Sequence, residues 1–299
     1  MIVEIGKTIQ KLLALLAALG ALNQSAPADL SGAEQAQFPY YAALLPEESR
    51  YGDGYYLGEN ALILVEQHEA GNREFGSAYI LADLYVPDVH MLRTWYMDDP
   101  QSGIRGAADI STLGTVLHAA LAVNGDFYPA QGVTAVRNGN IINSCVSSYD
   151  LCVLYEDGSM RTFPYRSLAT QGDVNAALQN AWQAWSFGPA LLNEDGSPVS
   201  DFSGRIVDHL TDLHARTAIG YYGPGHYCLL NITGYRQQSP GVTLEAMSSF
   251  FSALGCSQAY NLDGGNSSHI WFQGRERGYP CEKKDLPDII YLEDLTRAG

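Results

Sequence analysis

Basic residues are scarce in this chain of 299 residues: Lys and Arg total 17 against 33 Asp and Glu, a formal net charge of −16. A field of that sign repels nucleic-acid phosphates and anionic bilayer surfaces. Nucleic acid is therefore not expected as a partner, and an anionic substrate would have to be captured by local groups. Long apolar runs are scarce too. The stretch from Leu12 to Leu22, behind Lys7 and Lys11, is eleven residues, where a spanning helix needs about 20, so no integral membrane domain is expected. Two readings of this stretch stand side by side. It suits the core of a secretory signal, with Ser25-Ala26-Pro27-Ala28 as the cleavage region, although Glu4 sits where such signals carry only positive charge. It equally suits an amphipathic helix that docks on the domain.

Zinc-type cysteine spacing is missing. Cys145, Cys152, Cys228, Cys256 and Cys281 form no CxxC and no Cys/His cluster, so no structural zinc is expected. Cys145 and Cys152 flank a polar turn and read either as a bridge across a hairpin or as two thiols. Also missing are a GxSxG elbow and a Walker A loop. Gly52-Asp53-Gly54-Tyr55-Tyr56-Leu57-Gly58 has the wrong glycine spacing for a dinucleotide loop.

Short apolar runs separated by Gly, Asn and Asp turns are abundant. Residues 61–65, 78–86, 119–123, 151–155, 218–222, 227–232 and 289–292 read as strands. Helical spacing predicts helices over 174–185 and 244–254, the second capped by Thr243, carrying Glu245 in its first turn and stopped by Gly255. No linker or internal repeat interrupts the pattern. The expectation is a mixed α/β (α+β) fold, a single domain over 45–299 built on β-sheet with a few flanking helices, behind a signal-like or amphipathic segment and linker over 1–44.

Three loops end apolar strands in Asn, Asp or Arg beside glycine. The first is Asn124-Gly125-Asp126-Phe127-Tyr128, whose bulky continuation argues against a plain hairpin. The second, His214-Ala215-Arg216, sets an arginine at a strand mouth, either paired with a surface carboxylate or presented to an anion. The third is Asn261-Leu262-Asp263-Gly264-Gly265-Asn266-Ser267-Ser268. Its paired glycines permit positive φ, so that successive N–H groups can form an anion nest. Asn261 and Asp263 alternate with Leu262 and project to the opposite face.

In order along the chain, the first loop, Arg137-Asn138-Gly139, Ser186-Phe187-Gly188-Pro189, Arg216-Thr217-Ala218-Ile219-Gly220, Gly234-Tyr235-Arg236, Ser239-Pro240-Gly241, the third loop and Asp288-Ile289-Ile290-Tyr291 resemble the phosphodiester glycosidase family, over about 61–292. Two departures stand out: Asn266 replaces a third glycine, and the family's Asp-Gly-Arg is Thr233-Gly234-Tyr235-Arg236 here.

The resemblance implies a bacterial-type hydrolase of sugar-1-phosphodiester bonds, acting outside the cytoplasm on cell-surface or extracellular glycopolymers. Its partner would be a carbohydrate or glycosyl-phosphate substrate. Asp263 or Asp126 would be base or nucleophile, in an order left open, with Asn124 beside them. Arg216 and the Gly264-Gly265 amides would hold phosphate, and Asn261, Asn266, Ser267, Gly188 and Arg236 would complete the substrate contacts. Tyr128 or another tyrosine would stack on the sugar. No cofactor is expected. Two alternatives are a non-catalytic binder of anionic polysaccharide using the same cleft, and a phosphodiesterase in which Asp126 and Asp263 share a divalent cation. The sequence leaves the oligomeric state open.

Overall fold

The structure, a computed structural model, describes residues 50–295 except 53, 59, 101, 128–131, 206–208, 281 and 283. The segment expected over 1–44, the expected stacking of Tyr128 and the fifth cysteine, Cys281, lie outside the described residues. Every strand pairing described is antiparallel, in three sheets. The largest runs β1 (Arg50–Gly52), β2 (Tyr55–Leu57), β3 (Leu62–His68), β4 (Tyr79–Tyr85), β13 (His226–Ile232), β12 (Arg216–Gly223), β14 (Gln258–Asn261). A second runs β10 (Met160–Phe163), β9 (Leu151–Tyr155), β11 (Ala181–Trp185), β7 (Ala135–Arg137), β8 (Asn140–Asn143). The third runs β16 (Arg275–Arg277), β15 (Ile270–Phe272), β6 (Ala119–Asn124), β17 (Asp288–Glu293), β5 (Arg93–Tyr96).

All three sheets turn one face toward a shared core that includes Ile63, Leu84, Val123, Leu154, Trp185, Leu229, Tyr260 and Ile290. Each outer face is covered by one helix. Helix α1 (Ile110–Val116) places Leu113 on Ala122, Trp271 and Ile289. Helix α2 (Gln171–Ala177) places Val174 on Val136, Leu151 and Val153. Helix α3 (Leu244–Leu254) places Met247 and Phe251 on Ala218, Cys228 and Leu230. A strand buried on both faces has no polar side to display, which is why β6, β9, β13 and β17 read as continuous apolar runs rather than alternating ones. The expected mixed α+β domain is the fold observed. None of its described helices is long and apolar enough to cross a membrane.

Helix α3 has the ends its sequence predicts: the Thr243 hydroxyl accepts from the Ala246 amide, and Gly255 closes it at φ 87°. The helix expected over 174–185 is corrected. Helix α2 starts earlier, at a capping box of Thr170 and Asp173, and ends by Ala177. Asn180 then turns the chain left-handed at φ 59°, and Ala181–Trp185 pairs with β9 and β7. Sheet pairing of an Ala-Trp alternation outweighs the local helical spacing. The Cys145/Cys152 hairpin is corrected as well. The partners of β9 are β10 and β11, so Cys152 lies opposite Thr162 and Trp185, and both thiols are free.

Candidate active site

Strand β6 ends on Asn124, whose buried amide binds to all three loops. Its Nδ2 donates to the carbonyls of Asp263 (2.8 Å) and Gly125 (3.2 Å). Its Oδ1 accepts from the Thr217 hydroxyl (2.7 Å) and the His269 amide (3.3 Å). Backbone bonds complete the junction: Asp263 N–H to Gly125 O at 3.0 Å, Leu262 N–H to Thr217 O at 2.8 Å, Gly265 N–H to Ala215 O at 2.9 Å. Chain segments far apart in sequence thus meet at one place. Because every polar atom of the Asn124 side chain is engaged, it positions the loops rather than facing a substrate.

Asp126 faces inward. One oxygen accepts from Arg137 Nη2 and the other from the Ser186 amide at 2.7 Å, and the side chain is almost wholly buried. Arg137, fully buried, also lies 3.3 Å from Asp288 Oδ2 and donates to the carbonyl of Ala184. Burial, followed by the neighbouring Asp126 charge, pushes the Asp288 carboxyl well above its ordinary range. Glycine at 125 is a steric requirement here, since a Cβ would stand 2.0 Å from Asp288 Oδ2. Asp126 therefore belongs to a buried ionic brace, and both oxygens that a shared cation would need already face donors.

Arg216 is likewise turned away from open solvent. Its Nε donates to Val242 O (3.3 Å) and its Nη2 to the carbonyls of His209 (2.5 Å) and Asp212 (3.2 Å). Burial lowers its pKa to about 10. The side chain fixes the backbone of 209–212 to β12, a geometry that differs from an anion-presenting arginine.

Asp263 stands at the surface edge of this junction. Its side chain keeps 16% exposure and its Oδ2 lies 3.9 Å from Lys284 Nζ. The same ammonium donates to the Ser267 hydroxyl. Burial raises the Asp263 pKa, against the lowering effect of the Ser267 hydroxyl, Lys284 and the Gly264 amide. The Gly264 N–H donates to Asp263 Oδ1 (2.9 Å) and the Gly265 N–H to Ala215, so both amides of the expected nest are occupied. What the second glycine supplies is room: at φ 63°, a Cβ on Gly265 would lie 2.8 Å from the Tyr235 hydroxyl and 2.9 Å from His214 Nε2.

His214 and Tyr235 meet through that hydroxyl and the imidazole, with His209 stacked on His214 at 4.3 Å between centroids. Burial, with the Arg216 charge second, holds the His214 pKa down to about 4, so the ring is neutral near pH 7. On the other side Phe127 lies under Lys284, 5.9 Å from Nζ to the ring centre.

The remaining expected residues spread outward from this edge. Asn261 is buried, with Nδ2 on Gly188 O at 2.7 Å and Oδ1 without a hydrogen-bond partner. Gly188 precedes a cis Pro189. Asn266 is exposed near Glu282, and Arg236 reaches Pro280 O and the Tyr279 ring. His269 is buried between Asn266 O and Glu276, as a brace on the third loop. Among the described residues no cluster of three or more His, Cys, Asp or Glu is placed to hold a metal.

Lys284 is the site residue that sequence reasoning missed. It sits in Glu282-Lys283-Lys284-Asp285, a charge run indistinguishable from a solvated loop. His214 and Tyr235 fell within motifs but carried no separate signal.

The fold agrees with comparisons to known proteins. A family model described as phosphodiester glycosidase matches residues 118–293. A curated relative, the SPbeta prophage-derived uncharacterized protein YomE of Bacillus subtilis, is 29% identical over 152 residues, 49% of this chain and 23% of its own length. The chain thus spans about a quarter of that relative. Among solved structures, the catalytic domain of zebrafish N-acetylglucosamine-1-phosphodiester alpha-N-acetylglucosaminidase, auto-inhibited by its pro-peptide, superposes with a TM-score of 0.61 at 15% identity, covering 85% of this chain and 92% of that one. A hypothetical protein from Synechocystis superposes at 0.53 and 13% identity, covering 78% and 62%. At such identities the superpositions speak to fold, and the family rests on the 118–293 match: the chain belongs to the phosphodiester glycosidase family.

Proposed function

We propose that the chain hydrolyses a glycosyl phosphodiester. The bond between the anomeric carbon and the phosphate oxygen breaks, water supplies a hydroxyl to the sugar, and a phosphomonoester leaves. The observation that carries this reading is the pairing of Asp263 and Lys284 at the exposed edge of the three-loop junction, 3.9 Å apart. Asp263 acts as base or nucleophile, because Asp126 has both oxygens bound inside the protein. Lys284, rather than Arg216, attracts the phosphate locally in a chain of net charge −16. Ser267 and Asn266 lie on the same turn and contact the substrate's polar groups. A departing phosphate is already a stable anion, so holding its charge matters more than protonating it. An extracytoplasmic glycopolymer suits this chemistry as the natural substrate.

The zebrafish protein's name supplies the class of probe, an N-acetylglucosamine 1-phosphodiester, and N-acetylglucosamine 1-(methyl phosphate) is a small member of it. Asp263→Asn should lower its kcat about 100- to 10,000-fold. Lys284→Ala should lower kcat/KM for this diester while leaving any cleavage of a neutral N-acetylglucosaminide almost unchanged. Full turnover by Asp263→Asn, or equal losses on charged and neutral substrates for Lys284→Ala, would refute the assignment.

A further inference from the structure

Two exposed aromatic residues stand beside the Asp263 turn on different neighbours, and both have left-handed backbone. Phe127 is 48% exposed at φ 70°, and Tyr235 is 53% exposed at φ 59°. Positive φ is uncommon for a bulky residue, and a ring left half in water recovers only part of the burial that would offset it. Strained, exposed rings beside a reactive carboxyl are placed to meet a ligand. Each is tied to the turn by its contacts: the Phe127 ring lies 5.9 Å from Lys284 Nζ, that ammonium 3.9 Å from Asp263 Oδ2, and a Cβ on Gly265 would stand 2.8 Å from the Tyr235 hydroxyl.

The proposed reaction, on which this step rests, puts phosphate at Lys284 and the anomeric carbon at Asp263. The two ends of the substrate then meet different neighbours. The sugar extends toward Gly265, Tyr235 and the neutral His214 ring, where hydroxyl partners exist. The second alcohol of the diester extends past Lys284 to Phe127, which has no polar atom and can offer only a ring face.

We infer that Phe127 sets specificity for the leaving group, favouring glycosyl phosphodiesters whose second alcohol presents an apolar or ring surface, while Tyr235 borders the sugar. Ring stacking discriminates between alcohols without touching the bond that breaks.

Two probes that differ only at that end test it: N-acetylglucosamine 1-(methyl phosphate) and N-acetylglucosamine 1-(benzyl phosphate). Both are titrated calorimetrically into the full chain carrying Asp263→Asn, and both are offered to the parent chain for turnover. The benzyl ester should bind about fivefold to tenfold tighter. Adding Phe127→Ala should erase that preference with little effect on the methyl ester, Phe127→Trp should keep it, and Tyr235→Ala should weaken both probes alike. Unchanged melting temperatures exclude misfolding of the surface variants. A benzyl preference that survives Phe127→Ala, or no preference at all, overturns the inference. Turnover without a Phe127-dependent preference leaves the hydrolase reading intact. A Phe127-dependent preference without turnover removes the hydrolase reading and keeps the Phe127 contact with the second alcohol. Binding of neither probe removes both.

Discussion

Asp126 and Asp263 lie on loops that hydrogen-bond to each other, yet their surroundings divide their roles. Asp126 is locked to Arg137 and the Ser186 amide, whereas Asp263 keeps an open edge and a pKa raised by burial. As base or nucleophile Asp263 must be ionised, so kcat/KM should climb as pH rises through its pKa, with a midpoint above the usual carboxylate range. Lys284 lowers that pKa. Replacing it with methionine should therefore move the climb to higher pH as well as weaken turnover. A pH profile whose rising limb is indifferent to Lys284→Met would contradict the pairing. Asp288 behaves differently because it never meets solvent. Its folded pKa is raised above the unfolded value near 3.8. The stability linked to its proton is thus complete below about pH 4 and lost as pH rises through the folded pKa. Asp288→Asn mimics the protonated form, so its melting temperature should decline less than the parent's as pH rises above about 4. Parallel curves would show that the carboxyl is ionised in the fold without penalty.

At the scale of elements, each helix covers the outer face of one sheet, and its ends matter more than its length. Helix α3 bears on the site indirectly, since Phe251 packs against Ala218 of β12, the strand that carries Arg216 and Thr217, and against Cys228 of its partner β13. Its N-cap bond from the Ala246 amide to Thr243 measures 3.2 Å. Thr243→Ala should cost about 1 kcal/mol, lowering the melting temperature by roughly 2–4 °C in a protein of this size. A loss much larger than that would mean the threonine supports more than the cap. The failed expectation of a helix through Trp185 belongs to this scale too. From Val174 onward the spacing fits a helix locally, but Ala184 and Trp185 are needed as partners for Val153 and Cys152.

For the whole molecule, three antiparallel sheets around one core bring residues 124–126, 214–217 and 261–268 to a single edge. The long central strands were legible because burial on both faces leaves an uninterrupted apolar signature, whereas the short exposed strands β8 and β16 carry none. The loops were legible because Asn, Asp and Gly cluster where strands end. The roles within them were less so. Nothing local distinguishes Arg216, which grips carbonyls, from an arginine that faces an anion, and nothing distinguishes Lys284 from its solvated neighbours. Only the folded chain shows which side chains turn inward, because that depends on partners such as Arg137 and Asp288, 151 residues apart. A net charge of −16 makes the point more sharply, since Lys284 beside Asp263 has to do what the global field opposes. The most direct test is a crystal structure of Asp263→Asn with N-acetylglucosamine 1-(methyl phosphate). The account predicts phosphate oxygens within charge-assisted hydrogen-bonding distance of Lys284 Nζ and the anomeric carbon over the residue 263 amide. Phosphate seated on the Arg216 guanidinium, or anywhere away from the 261–268 turn, would contradict it.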